Sequence, residues 1–131
     1  MKRERHASGT EWESTVGYSR AVRAGDEVHV SGTTATDDDG QVVGVGDPYA
    51  QMVQALDNVE TALSALDASF ADVVRTRLFV TDIDDWEAIG RAHSEIFDTV
   101  RPATTMVQVE RLIDPEMLVE IEAVARDCGP D

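Results

Sequence analysis

The 131-residue chain predicts an α/β domain, a mixed sheet with two helices packed on one of its faces. Three observations lead there. Residues 73–80, Val-Val-Arg-Thr-Arg-Leu-Phe-Val, form a strand-like run rich in β-branched and aromatic side chains. Two stretches at helical spacing flank that run, one after Asp47-Pro48 and one after Asp85. Two further strands close the chain, at 101–110 and 118–125.

Taken in order, residues 1–15 lack periodicity and read as a loose lead-in. Residues 16–22 read as a short strand, and Arg23-Ala24-Gly25-Asp26 as a turn. Residues 27–32 alternate with period two, which places Val28 and Val30 toward a core and His29 toward solvent. Asp37-Asp38-Asp39-Gly40 is a hairpin-type turn leading into Gln41-Val42-Val43. This aspartate run lacks the loop pattern and closing glutamate of a calcium site, so no metal is expected. Asp47-Pro48 supplies a cap and a first-turn proline. Met52, Leu56, Val59, Leu63 and Leu66 then recur at spacings of four and three, with Val53, Ala55 and Ala62 widening the stripe. That makes an amphipathic helix of about five turns, ending near Asp67-Ala68-Ser69.

In the 73–80 strand, Val74, Thr76, Leu78 and Val80 make one face; Val73, Arg75, Arg77 and Phe79 make the other. A second helix follows, with Trp86, Ile89, His93 and Ile96 or Phe97 on one stripe. Pro102 cannot donate to a ladder and belongs at or before the start of the next strand. There Thr104, Met106, Gln108 and Glu110 share a face opposite Thr105, Val107 and Val109. In the last strand Val119, Ile121, Ala123 and Ala125 are apolar, while Leu118, Glu120, Glu122 and Val124 are mixed. With two helices on one sheet face, the other face is expected to carry Arg75, Arg77, Phe79, Met106, Gln108, Glu110, Leu118, Glu120 and Val124. Such a surface is too apolar for water and too charged for a dry core. Association of several copies would bury it and pair arginines with carboxylates.

Bulk properties narrow the partners. Apolar residues make up 42% of the chain, enough for one core. No run approaches the roughly 18 apolar residues that span a bilayer. The basic N-terminus has no apolar segment behind it, so no secretory signal is expected and the cytoplasm is the expected location. The single cysteine, Cys128, allows no intramolecular disulfide and no thiolate metal cluster. Twenty-six acidic residues face eleven basic ones, and Lys2 is the only lysine. A net charge of −15 argues against nucleic-acid partners and anionic membranes. It suits a surface that high salt screens, as in salt-loving microbes.

Several segments together carry a resemblance: Gly17-Tyr18-Ser19-Arg20-Ala21, Val30-Ser31-Gly32-Thr33, Gln54-Ala55-Leu56-Asp57-Asn58-Val59, the 74–80 run, Arg101-Pro102-Ala103, and Val119-Glu120-Ile121-Glu122-Ala123. In this order and spacing they resemble the RidA family, also called YjgF or UK114-like. The match divides the chain into a lead-in (1–15), a RidA-like domain (16–126) and a short tail (127–131). The resemblance implies a chorismate-mutase-like fold and a homotrimer. In it the sheets form a central barrel, the helices lie outside, and small-molecule clefts open between subunits. It implies no cofactor and no metal. In deaminating members, water hydrolyses a 2-imino or enamino acid to a 2-oxo acid and ammonia.

In that family an arginine directly after Pro-Ala grips the substrate carboxylate; here Thr104 stands in its place, as in arginine-lacking branches. The family's asparagine position in the second helix falls on Gly90, and its aromatic position on His93. Tyr18, the Ser31-Gly32 turn and Glu120 match. The resemblance thus points to Glu120, placing water, and Tyr18, closing the pocket, as catalytic candidates. Gly32, Thr33, Arg75, His93, Thr104 and Thr105 are the substrate-binding candidates. A cleft lined by Thr33, Thr34, Thr36, Thr104 and Thr105 would suit a neutral or weakly charged ligand. Arg75, Arg77, Arg91, His93 and Arg101 are the residues that could replace the missing arginine. For Arg75 and Arg77 the competing role is pairing with Glu120 or Glu122. Two functions follow: a deaminase-like hydrolase of imines or enamines, or a non-catalytic binding or regulatory protein. Ribonuclease activity is disfavoured by the charge.

Overall fold

The computed structural model describes residues 2–127, so Cys128 and the remainder of the expected tail lie outside the described residues. The elements run β1 (Arg3–His6), α1 (Glu11–Val16), β2 (Ala21–Ala24), β3 (Glu27–Thr33), α2 (Pro48–Ala65), β4 (Val73–Val80), α3 (Trp86–Phe97), β5 (Ala103–Gln108) and β6 (Val119–Arg126). The strands form one sheet in the order β1-β2-β3-β6-β4-β5. Only the β4–β5 pair is parallel. Parallel neighbours need a long crossover, and α3 supplies it. The α/β architecture with helices over one face of a mixed sheet is the one expected.

Within the described residues the lead-in forms β1 and α1, where the lack of periodicity in 1–15 suggests a loose segment. Arg3 lies opposite Ala24 and His6 opposite Ala21. An edge strand wetted on both faces needs no apolar periodicity, so Arg-Glu-Arg-His gave no strand signal. Thr10 and Glu13 then form a capping box on α1, Glu13 Oε2 accepting the Thr10 amide at 3.4 Å and the Thr10 hydroxyl at 2.8 Å. Burial alone would push the Glu13 carboxyl up. Hydrogen bonds from Ser8 and Thr10 outweigh it and hold the group below the usual range. Gly17, at φ 91°, ends the helix in the left-handed conformation. The strand expected at 16–22 therefore starts only at Ala21.

In α2, Asp47 accepts from the Ala50 amide at 3.0 Å, the expected cap. Met52, Leu56, Val59 and Leu63 are fully buried or nearly so against Leu78, Val80, Val119 and Ile121 of the sheet and Ile89 and Phe97 of α3. Each such side chain stabilises the fold by about 1.5–3 kcal/mol. Val53 does not join the stripe; it is 45% exposed on the outer helix face. In α3 the buried members are Ile89, Ala92 and Phe97, while Trp86 and Ile96 face outward. The hairpin expected after the aspartate turn reduces to one bridge, Thr36 to Val42, with Asp37 Oδ1 accepting the amides of Asp39 and Gln41.

Two bulges set which side chains face which way. In β4 the pairing shifts between Val73 and Arg75, so Val73 is buried and Val74 is half-exposed, the reverse of strict alternation. In β3 the pairing shifts between Val30 and Thr33, so Ser31 and Gly32 bend out of register opposite β6. The parallel β4–β5 register pairs Thr76 with Thr104, Leu78 with Met106 and Val80 with Gln108. Met106 and Gln108 therefore lie on the helix-covered face, not on the open face expected for them, and Met106 packs against the core. Among the described residues no helix is long and apolar enough to cross a membrane.

Candidate functional site

Glu120 occupies the point where the β3 bulge meets β6. It is partly buried, and a Cβ at residue 32 would come within 2.8 Å of Glu120 Cδ, so Gly32 makes room for the carboxylate. The bulge is tied to the loop after α1. Ser31 Oγ donates to Ser19 O at 2.7 Å, and the Ser31 amide donates to Arg20 O at 2.9 Å. From the other side, buried Gln51 holds the entry to β6: its amide donates to Glu116 O at 2.8 Å and its carbonyl accepts from the Leu118 amide at 2.8 Å.

The Arg20 guanidinium organises this end of the site. It donates to Gly32 O, to Thr33 Oγ1 at 3.1 Å and to Tyr18 Oη at 3.3 Å, and it lies 5.6 Å from the Tyr18 ring centre. Because arginine only donates, the Tyr18 hydroxyl proton is left to point elsewhere. Burial pushes the Glu120 carboxyl above its ordinary value; Arg20 opposes the rise and Glu122 adds to it. A carboxyl that holds its proton more tightly than an exposed one is suited to general acid–base work.

Thr104 lies elsewhere. Thr104 Oγ1 is 2.7 Å from Thr76 Oγ1, and Thr76 Oγ1 is 2.9 Å from His93 Nε2. Thr104 also donates to Pro102 O at 3.2 Å. Thr76 is fully buried, while Thr104 is exposed. Burial pulls the His93 pKa below its ordinary value, and Phe97 packs on its ring at 4.6 Å between centres. Two of the three residues that depart from the expected family pattern, at 93 and 104, are thus joined through one buried hydroxyl.

None of the candidate arginines reaches Thr104 within the chain. Arg101 folds back onto the end of α3, donating to Asp98 O at 2.8 Å and pairing with Asp98 Oδ1 at 3.1 Å. Arg91 lies over the Tyr49 ring at 4.3 Å. Arg75 donates to Thr105 Oγ1 at 3.4 Å on the open sheet face. Arg77 Nε stands 2.9 Å from Glu122 Oε1 as an ion pair. That oxygen is shielded from solvent with no aligned donor, so the contact is charge proximity more than a formed hydrogen bond. A shallow hollow of about 240 Å³ lies over this face, between His29, Arg75, Arg77 and Glu122. It does not include Tyr18, Arg20 or Glu120. At Gly90 a Cβ would meet nothing within 4 Å, so packing does not demand glycine there.

The structure thus brings Tyr18, Gly32, Thr33 and Glu120 together, places His93 with Thr104, and sets Arg75 with Thr105. The three groups are separate within one chain. Thr33 is buried with its hydroxyl engaged by Ser31 O and Arg20, and Thr104 and Thr105 point to opposite sheet faces, so the expected threonine-lined wall does not form in one chain. Arg20 was absent from the expected site residues. Its position between Tyr18 and the strand after it was the available signal, but its partners lie twelve and thirteen residues on. Among the described residues no group of three or more His, Cys, Asp or Glu could hold a metal ion.

Comparison with known proteins agrees with this fold. A family model described as Endoribonuclease L-PSP matches residues 9–127. A 3-aminoacrylate deaminase, RutC, of Acinetobacter baylyi is 38% identical over 108 residues, covering 82% of this chain and 85% of the relative. The crystal structure of a YjgF/YER057c/UK114 family member from Mycobacterium tuberculosis superposes with a TM-score of 0.87 at 49% identity, covering 95% of this chain and 99% of that one. The YjgF gene product of Escherichia coli is similar at a TM-score of 0.79 and 28% identity, covering 93% of each chain.

Proposed function

Because the chain belongs to the Endoribonuclease L-PSP family, the RidA/YjgF/UK114 group, we propose that it is a homotrimer that hydrolyses the carbon–nitrogen bond of a small imine, enamine or related metabolite in clefts between subunits. The observation that carries this reading is the Glu120 carboxyl, raised by burial and held beside Gly32 within reach of the Arg20–Tyr18 pair. The likeness to a 3-aminoacrylate deaminase supports the reaction class. Glu120 takes a proton from water as the oxygen adds to the C=N carbon and returns it to the nitrogen, giving a neutral carbinolamine. Glu120 then relays the carbinolamine hydroxyl proton to the amino nitrogen as the C–N bond breaks, so ammonia departs and a carbonyl remains. The Tyr18 hydroxyl, its oxygen engaged by Arg20, donates to the bound ligand. Classical 2-imino acid deamination is not expected, because Thr104 offers no charge to a substrate carboxylate. The net charge of −15 likewise supports no nucleic-acid substrate.

The test generates 2-iminopropanoate, 2-iminobutanoate and the imine of 2-oxopropanamide in situ and follows each as its semicarbazone. The expected result is accelerated loss of the uncharged imine, abolished by Glu120→Gln, with little effect on the two carboxylates. Failure of the assembled protein to accelerate any of the three would overturn hydrolysis and leave a metabolite-binding protein as the reading.

A further inference from the structure

The hydrogen bonds around Thr104 have only one consistent direction. Pro102 O can only accept, so the Thr104 hydroxyl proton is committed to it. Thr76 must then donate to Thr104 Oγ1, and His93 must donate from Nε2 to Thr76 Oγ1. The chain therefore places a proton on His93 Nε2. Burial, which disfavours the imidazolium, favours the neutral ring that carries it. Three aligned donors polarise one another, and the outermost hydroxyl is the exposed one.

We propose that Thr104, backed by Thr76 and His93, is a binding subsite for an uncharged hydrogen-bonding group of the ligand, an amide, carbonyl or imine, in place of a carboxylate. On binding, the Thr104 hydroxyl turns from Pro102 O to the ligand acceptor, and its free lone pair accepts a ligand N–H. Among the described residues the two nearest candidates in sequence point elsewhere, Arg101 being folded onto Asp98 and Arg75 lying on the other sheet face. A carboxylate placed here would lose hydration without gaining an opposite charge. The inference rests on the reading that the protein binds a small metabolite, but it requires no turnover.

Two measurements test it on the full-length protein. Long-range nitrogen–proton spectra of the His93 ring are expected to show the Nε2-protonated tautomer near neutral pH. That preference should fall in Thr76→Val, whose fold is checked by circular dichroism. A neutral ring protonated at Nδ1 in the wild type would overturn the chain direction. Titration with 2-oxopropanamide and with pyruvate, followed at the Thr76, His93 and Thr104 resonances, is expected to favour the amide by about ten-fold or more. Thr104→Val should remove that preference, and Thr104→Ser should retain it. Equal or tighter pyruvate binding, or no perturbation by either probe, sinks the proposal. An amide that binds as described but is never turned over leaves it standing while hydrolysis fails.

Discussion

Thr104 and Glu120 lie on opposite faces of the same sheet. Through the central strand β4, Glu120 is registered with Phe79 and Thr104 with Thr76. The three-residue offset along β4 is about 10 Å, and two ladder steps add about 10 Å across. One chain cannot close both residues around one small molecule, so a cleft that uses both must be completed by another copy.

That geometry predicts the assembly. Arg77, on the open face beside Glu122, should be buried between subunits, so Arg77→Glu would set like charges together. Light scattering is expected to give three chain masses for the wild type and a monomeric mass for the variant, with circular dichroism showing a retained fold.

Gly32→Ala should strain the bulge. The added Cβ would collide with the end of the flexible Glu120 side chain and displace its carboxylate, at a cost toward the low end of the roughly 1–3 kcal/mol of overpacking. A lowered denaturation midpoint is expected, together with loss of any Glu120-dependent activity. An unchanged midpoint and activity would mean that the carboxylate moves aside freely.

Glu120 also leaves a signature in stability against pH. Its folded pKa is raised above the ordinary 4.5, so the native state holds the proton more tightly than the unfolded chain. Its contribution is present below the unfolded value and is lost as pH rises through the folded one. Relative to wild type, Glu120→Gln should therefore gain stability as pH climbs from about 4.5 toward neutrality. Chemical denaturation at stepped pH measures the difference. His93 acts in the opposite sense: its folded pKa is lowered from 6.5, so its contribution is lost as pH falls through and below that value.

Net charge supplies a further expectation. At −15, self-repulsion should destabilise the folded chain at low ionic strength. The melting temperature is expected to climb as potassium chloride is added through the range where the Debye length shrinks below about 10 Å. A flat or falling curve would show that the acidic residues are already spaced to avoid one another.

Local chemistry made much of the fold legible from sequence. The Asp47-Pro48 start of α2, its Met52-Leu56-Val59-Leu63 stripe and the alternation of β6 each depend on residues within a few positions of one another. The Tyr18, Gly32 and Glu120 positions were legible through family resemblance. What tertiary structure alone decided is long-range. The extra residues at Val74 and at Ser31-Gly32 reversed or re-aimed alternation, because register depends on the partner strand. Parallel pairing with β4 put Met106 and Thr104 on the helix-covered side. Arg20 gained its role only when β3 was folded beside it, and His93 met Thr104 only through buried Thr76. Periodicity reports which residues prefer to be buried; only the strand pairing determines which of them meet.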